Sequence, residues 1–168
     1  SSVTYIGERA FEGCSKLVSI DLPGVVEIDK FAFKDCASLQ TVNLSSSIRT
    51  IGFEAFRRCS NLQNITLPEG LQTIGAYAFF SCDSLTSVII PSTVSFIDVG
   101  AFKGCSNMTE VTILNPNATI GMEYASDNPA VFPTQAVIVG FDPSTAKDYA
   151  MQYGREFKER TVLRRNPG

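Results

Sequence analysis

The chain has 168 residues, 44% of them hydrophobic, which is enough for one domain with a buried core. Fourteen Lys and Arg stand against 17 Asp and Glu, and this near balance excludes the strongly basic surface typical of proteins that bind nucleic acids or anionic membranes. No run approaches the roughly 18–20 consecutive apolar residues that span a bilayer. The sequence starts directly in a repeat, without Met or a leader pattern, so we expect a fragment or mature form of a longer protein.

Five copies of one segment dominate the first two thirds of the chain. They read IGERAFEGCSKL, IDKFAFKDCASL, IGFEAFRRCSNL, IGAYAFFSCDSL and IDVGAFKGCSNM. The isoleucine, Ala-Phe and cysteine columns stay in phase, and the first isoleucines are 22, 23, 23 and 23 residues apart: Ile6, Ile28, Ile51, Ile74 and Ile97. A fixed period of this length indicates a repeat architecture.

A second apolar pattern completes each unit. Every copy has three apolar residues at the positions of Leu17, Ile20 and Leu22 in the first copy. The last two of the three alternate with a polar residue, which predicts a half-buried strand. Pro23, Pro68 and Pro91 follow this pattern directly and are expected to end the strand. The Ala-Phe-x-x-Cys stretch suits a short helical turn, with Phe filling the interior.

A unit of 23 residues cannot bury its own apolar face, whereas stacked copies form a continuous core. Strands of neighbouring units would pair in parallel at about 4.7–4.9 Å. The sequence therefore predicts an α/β repeat fold, a β-rich right-handed solenoid of about five rungs of 22–23 residues.

The pattern resembles the BspA-like leucine-rich repeats of bacterial and some protist surface proteins, whose unit runs Ile-Gly, Ala-Phe, Cys, Leu, Ile, Leu-Pro. The match extends over about residues 3–120 and concerns some nine positions per unit. The resemblance implies a leucine-rich-repeat solenoid that is secreted or displayed on the cell surface and takes part in adhesion to host proteins and to other cells.

The five cysteines form one column with 22–23-residue spacing. That spacing does not fit a zinc site, which needs ligands two to four residues apart, and the chain has no His. A bridge between neighbouring rungs is sterically possible, but an odd number leaves one thiol unpaired. We expect buried free thiols that act as small apolar residues.

The residues that alternate with the strand columns should point away from the core and form a concave face. They are short, polar and mostly uncharged, with Val18 and Ile89 as apolar exceptions, a composition that fits hydrogen bonding to a protein or a glycan. The candidate binding face consists of Val18, Ser19, Asp21, Gln40, Thr41, Asn43, Gln63, Asn64, Thr66, Thr86, Ser87, Ile89, Thr109, Glu110 and Thr112. The alternative is that these residues only keep the strand face soluble.

Four N-x-Ser/Thr sequons occur, at Asn43, Asn64, Asn107 and Asn117. They could carry glycans in a eukaryotic secretory pathway. In a bacterial protein, which the resemblance favours, they are accidents of a sequence rich in Ser, Thr and Asn.

The repeat pattern decays after Ile113: Tyr124-Ala125 stands where Ala-Phe belongs. Residues 134–141 then predict a strand, Ser144 a helix N-cap and Gly154 the helix end. We interpret residues 1–120 as the solenoid, 121–160 as a strand-helix-strand cap of the same domain, and 161–168 as a tail or linker. The segment from residue 140 to 157 also resembles the ending common in the same family; it reads GFDPSTAKDYAMQYGREF.

No catalytic constellation is recognisable. Without His there is no Ser-His or Cys-His pair, and phosphate-binding glycine motifs are absent. The carboxylates sit at different repeat positions, and Asp127-Asn128-Pro129 lacks the ligand density of a calcium loop. We expect a non-enzymatic chain without cofactor or metal.

Three functions remain open. The first is an extracellular or cell-surface module that binds a protein, either a host extracellular protein or another cell-surface protein, with a glycan as a further partner class. The second is a rigid spacer that carries other domains. The third is an intracellular scaffold. No nucleic-acid partner and no membrane insertion by this segment are expected.

Overall fold

A computed structural model describes residues 2–121 and 130–162. In chain order its elements are β1 (Tyr5–Ile6), β2 (Ser19–Leu22), β3 (Glu27–Ile28), β4 (Thr41–Leu44), β5 (Thr50–Ile51), β6 (Asn64–Ile65), β7 (Thr73–Ile74), β8 (Ser87–Ile90), β9 (Phe96–Ile97), β10 (Glu110–Ile113), β11 (Thr119–Ile120), β12 (Val137–Gly140), α1 (Thr145–Gln152) and β13 (Phe157–Glu159). The parallel-strand solenoid expected from the repeat is confirmed, with β11 beginning a sixth turn.

Each rung contributes two short strands, one to each of two sides of the stack. The isoleucine column lies in a parallel sheet that runs without interruption through β1, β3, β5, β7, β9 and β11, which we call the continuous sheet. The second strands form two separate parallel groups, β2-β4-β6 and β8-β10-β12-β13. We call these the outward strands. The sequence analysis predicted only the outward strands.

The interior is built from the columns that the repeat defines. The rings of Phe33, Phe56 and Phe79 are fully buried and stack on one another with centroids 5.1 and 5.3 Å apart. The column continues through Phe102 to Phe132 in the C-terminal segment, with centroids 5.7 Å apart. Tyr124-Ala125, which stands where the Ala-Phe pair belongs in the sequence, lies outside the described residues. Val131 and Phe132 occupy the place of the Ala-Phe pair in the next turn. The Phe102 N–H donates to the Val131 carbonyl, as the phenylalanine N–H of each earlier rung donates to the alanine carbonyl of the next.

The expected helical turn at Ala-Phe-x-x-Cys is wrong. Each of the first five rungs instead has one left-handed residue directly before the Ala-Phe pair and one directly before the cysteine, with φ of 60° at Phe31 and 59° at Asp35 in the second rung. Tight turns close around them, as when the Cys36 N–H donates to the Phe33 carbonyl at 3.2 Å. Left-handed backbone cannot continue a right-handed helix, so the stretch folds as successive turns.

The close approach of neighbouring rungs explains the glycine in the Ile-Gly dipeptide of the repeat. A Cβ on Gly75 would lie 2.7 Å from the backbone carbon of Gly52 and 2.8 Å from the nitrogen of Phe53. Neighbouring rungs therefore approach backbone to backbone just after the continuous sheet. Any side chain at Gly75 would push these rungs apart.

The C-terminal segment folds as predicted from its sequence. The Ser144 side chain caps α1 by accepting the Lys147 N–H at 3.1 Å, and Gly154 adopts φ 63° after the helix. The strand β13 pairs in parallel with β12, so α1 crosses between them. Whether residues 121–160 act as a separate cap stays a prediction, and residues 122–129 and 163–168 lie outside the described part of the chain.

Candidate functional site

The predicted face lies on the outward strands and is almost entirely exposed. Fourteen of its fifteen residues are exposed to solvent, and the parallel register aligns them in rows across the rungs. One row contains Ser19, Thr41 and Asn64, and the other begins with Asp21 and Asn43. The Asn43 side-chain amide donates to Asp21 Oδ1 at 2.6 Å, so polar side chains already bond between rungs.

Thr112 is the exception, since it is only 6% exposed. In the register of the outward strands it lies between Ile89 on β8 and Val139 on β12. The expectation that Thr112 points freely into solvent is therefore wrong, because branched side chains flank it on both neighbouring strands.

The face extends further than the sequence analysis placed it. Val137 and Val139 on β12 align with Glu110 and Thr112 and are half-buried. Their alternation with the buried Ala136 and Ile138 is the period-2 signal that could have identified them. The face thus changes from polar at Asp21 to apolar at its C-terminal end.

Five of the six inter-strand junctions of the outward side are present, and one is missing. The strands β2 and β4 pair over four residues, β4 and β6 over two, and β8 and β10 again over four. No ladder joins β6 to β8, although both are fully described. A cleft of about 300 Å³ occupies this junction and is lined by Asn64, Ile65, Thr66, Leu67, Ser87, Val88 and Ile89.

A second, partly exposed surface lies on the turn side of the rungs, and the sequence analysis did not include it. Phe31, Phe53 and Tyr77 meet edge to face, with ring centroids 5.3 and 6.3 Å apart. The Arg9 guanidinium lies 4.4 Å from the centre of the Phe31 ring, and Arg57 lies over Phe80. Aromatic and arginine side chains are frequent in binding hot spots.

The charged groups of that turn-side surface are engaged with one another. Arg57 Nη1 lies 2.6 Å from Glu54 Oε1, and Lys34 Nζ lies 3.5 Å from Glu54 Oε2, which buries the Glu54 carboxylate. Arg9 is paired with Glu12 at 2.7 Å. These ion pairs engage the charged groups of the turn-side surface, although Glu54 Oε2 and Arg57 Nε have no hydrogen-bond partner among the described residues.

The cysteine column is a set of buried free thiols, as expected, except that Cys14 at the N-terminal end is partly exposed. Each following thiol donates to the phenylalanine carbonyl of the preceding rung, for example Cys82 Sγ to Phe56 O at 3.2 Å. Burial raises the pKa of the Cys36 thiol to about 11 and that of Cys105 to about 12. These thiols are protonated at neutral pH and unsuited to nucleophilic chemistry.

A phenol-carboxylate pair stands at the N-terminal end of the continuous sheet. The Tyr5 hydroxyl donates to the Asp29 carboxylate, which raises the pKa of Tyr5 to about 12 and lowers that of Asp29. The hydrogen bond thus favours the protonated phenol of Tyr5 and the ionised carboxylate of Asp29. The pair links the first two rungs and is remote from the outward strands.

Within the described residues, no three His, Cys, Asp or Glu side chains converge to hold a metal ion. The described part of the chain also contains no helix of the length and hydropathy that crossing a membrane requires.

Comparison with known proteins places this geometry in a family. The model of the BspA-type leucine-rich repeat region matches residues 1–125 in six copies. Among curated proteins no match is found.

Solved structures of bacterial leucine-rich-repeat proteins are similar. One from T. pallidum shares 26% identity with a TM-score of 0.67, over 93% of this chain and 79% of that protein. One from Bacteroides ovatus shares 27% identity with a TM-score of 0.57, over 84% of this chain and 44% of that one. The pneumococcal vaccine antigen PcpA shares the fold at 18% identity with a TM-score of 0.64, over 86% and 42%. The chain thus spans less than half of the latter two.

Proposed function

Since the chain belongs to the BspA-type leucine-rich-repeat family, a family of repeat modules suited to binding proteins, we propose that it is a non-catalytic adhesion module of a secreted or cell-surface protein. Its partner in this proposal is a host extracellular protein or a protein on another cell. The observation that supports the proposal most directly is the outward face itself, with fourteen exposed, mostly uncharged side chains on regularly spaced strands.

The composition of this face favours a protein partner. Protein interfaces combine a desolvated apolar part with a polar rim that supplies hydrogen bonds. Here Ile89, which is 59% exposed, and Val139, two strands away in the same row, offer the apolar part, whereas Asn43 and Asn64 offer amide donors and acceptors. Surface display and adhesion are what the family resemblance implies for such a face.

Capture of a partner tests the proposal. The immobilised chain is incubated with extracellular matrix, serum and mucin, and bound proteins are identified. We expect at least one protein to be retained by the native chain, and its retention to fall at least tenfold when Asn43, Asn64 and Thr66 are all replaced by Lys, because three ammonium groups would need desolvation in the interface.

The matched control places the same charges elsewhere. Ser46, Gln72 and Thr119 are also exposed and uncharged, but lie outside the outward face. Their triple replacement by Lys should leave retention within about twofold of the native level, because charges outside the interface stay in water when the partner binds. Equal loss in both variants, or no retained protein at all, would argue against the proposal.

A rigid spacer is the second candidate. The stacked phenylalanine column and the continuous sheet run through the described rungs and favour stiffness. A spacer would be indifferent to charges on the outward face, so the same pair of variants separates the two functions.

A further inference from the structure

The two ends of the stack are closed to different degrees. At the C-terminal end, Phe132 covers the ring of Phe102, and Tyr149 of α1 packs edge to face on Phe132 with ring centroids 5.4 Å apart. At the N-terminal end, the ring of Phe11 stacks on Phe33 with centroids 5.0 Å apart, and no other ring of the described residues stacks on its opposite face. One end of the hydrophobic core is therefore covered and the other is open.

The open end exposes the apolar columns of the first rung. Val3 is 61% exposed, whereas its equivalent in the second rung, Val25, is 2% exposed. Phe11, Cys14 and Leu17 are likewise partly exposed, and their equivalents in the next four rungs are fully buried. An exposed apolar surface that continues a core in this way marks an interaction site.

The turn stretch of the first rung presents a row of free carbonyls at this end. Between neighbouring rungs, the turn N–H groups of one rung donate to the turn carbonyls of the next, as Phe11 donates to Ala32 at 2.7 Å. The first-rung carbonyls at the accepting positions belong to Glu8, Ala10 and Glu12. None of them accepts a hydrogen bond from the described residues, so three acceptors are available at the open end.

The strand β1 and the cysteine column lack acceptors at the same end. In the continuous sheet a later rung donates to the earlier one, as the Asp29 N–H donates to the Ile6 carbonyl at 2.9 Å. The N–H of Gly7, at the position of Asp29, has no earlier rung to donate to among the described residues. Each later thiol of the column donates to the phenylalanine carbonyl of the preceding rung, and Cys14 has no such carbonyl before it.

A rung of the same repeat that runs in the same direction supplies both sets of groups together. Its strand carbonyls would face Gly7 and its turn N–H groups would face Ala10, in the pattern that joins every described pair of rungs. A second copy of the chain does not supply them. The turn N–H groups of its first rung already bond to its second rung, and its other end is covered by Phe132 and Tyr149.

We propose that the N-terminal end is one half of a rung–rung interface, and that it receives a further rung of this repeat from the same polypeptide, N-terminal to Ser1. The phenylalanine of that rung stacks on the free face of Phe11. The register fits, because residues 1–6 read SSVTYI where residues 46–51 read SSIRTI and lead from the second rung into the third. The added rung extends the outward face by one row beyond Val18.

Extension by one rung tests the proposal. Residues 25–45 are copied in front of Ser1, with Cys36→Ala in the copy so that Cys14 is the reporting thiol. We expect amide exchange at Gly7 and alkylation of Cys14 by iodoacetamide each to slow about tenfold or more, since both groups become covered and hydrogen-bonded. The melting temperature should rise by about 3 °C or more. Unchanged exchange and alkylation would overturn the proposal.

The matched control keeps the length of the extension and removes its fit. It carries Phe33→Asp and Leu39→Asp in the copied rung, which therefore cannot pack on Phe11. We expect exchange at Gly7 and alkylation of Cys14 to stay within about twofold of the native chain, because an unpacked segment leaves amides open to exchange. Equal slowing with this extension would mean that any added chain covers the end, and would contradict the proposal.

Two further measurements distinguish the occupants. In analytical ultracentrifugation we expect the native chain to be a monomer, and a dimer that Val3→Lys dissociates would make a second copy the occupant. Peptide mapping of the natural protein by mass spectrometry should find Ala-Phe-x-x-Cys with its phenylalanine 22–23 residues before Phe11, the spacing of the other rungs. A different upstream sequence, or a natural N-terminus at Ser1, would overturn the proposal. The adhesion function is tested separately, since none of these measurements uses a captured partner.

Discussion

The two strand-bearing sides of the stack use the same parallel pairing but differ in continuity. The continuous sheet passes through six rungs, with Ile28, Ile51 and Ile74 fully buried beneath it. The outward strands are divided at the junction of β6 and β8. The comparison shows that the rung spacing persists where the outward ladder is missing, because the continuous sheet and the phenylalanine stack still join the same two rungs.

The largest expected effect comes from the core that both sides share. Phe56→Ala should lower the free energy of unfolding by about 3–5 kcal/mol, because its fully buried ring stacks between Phe33 and Phe79. Urea unfolding followed by circular dichroism measures the change. Phe53→Ala in the same rung is the control, as Phe53 is 40% exposed and its loss should cost much less. Equal losses of unfolding free energy in the two variants would mean that the stacked phenylalanine rings do not stabilise the solenoid.

The next effect concerns the continuous sheet alone. Gly75→Ala should lower the free energy of unfolding by about 1–3 kcal/mol, because the added Cβ meets the backbone of Gly52 and Phe53. Gly7 has the same position in the first rung, where a Cβ would lie 3.6 Å from its nearest neighbour, the Tyr5 ring. Thermal and urea unfolding of Gly7→Ala should therefore show little change, and a comparable loss there would refute the steric explanation.

The cysteine column predicts a pH dependence that is independent of the division between the sides. Burial raises the pKa of Cys105 to about 12, whereas an unfolded thiol ionises near 8.5. In that interval the unfolded chain binds fewer protons, so the free energy of unfolding falls as pH rises. From pH 8 to 9.5 the fall should be about 1 kcal/mol smaller in Cys105→Ala than in the native chain. Parallel pH curves would contradict this assignment.

A smaller effect is expected in the turns that connect the two sides. Ser81 has φ 54°, a conformation that the equivalent Gly13 and Gly104 adopt without a Cβ. Ser81→Gly should raise the free energy of unfolding by about 0.5 kcal/mol, the balance between relieved strain and the greater freedom of unfolded glycine. Ser46, which is not left-handed, should lose stability on the same substitution. Melting temperatures of the two variants decide between these directions.

Much of the fold could be predicted from the sequence, because the same apolar positions recur in five copies and therefore stand out clearly from the other residues. Phe33, Cys36 and Leu39 recur in phase and are buried as expected, and Ser144 caps the predicted helix. The continuous sheet was missed because two-residue strands such as β7 are too short to show alternation. The left-handed residue before the Ala-Phe pair was missed because Phe31 and Tyr77 are not residues that signal such a conformation.

The candidate face was only partly predictable for a different reason. Its members follow from alternation along single strands, but the burial of Thr112 depends on the neighbours Ile89 and Val139 in adjacent rungs. The missing ladder between β6 and β8 depends likewise on the pairing of neighbouring rungs, which no single strand shows. Features within one rung, such as alternation along a strand, could be predicted from the sequence. Features of a junction between two rungs required the pairing register of the structure.

Amide hydrogen exchange in the presence and absence of the captured partner tests the central claim most directly. We expect the partner to slow exchange at Ser87 and Ile89 of the outward strands, and to leave Thr73 and Ile74 of the continuous sheet unchanged. Slowed exchange that is confined to the continuous sheet, or equal on both sides, would contradict the claim that the divided side is the binding side.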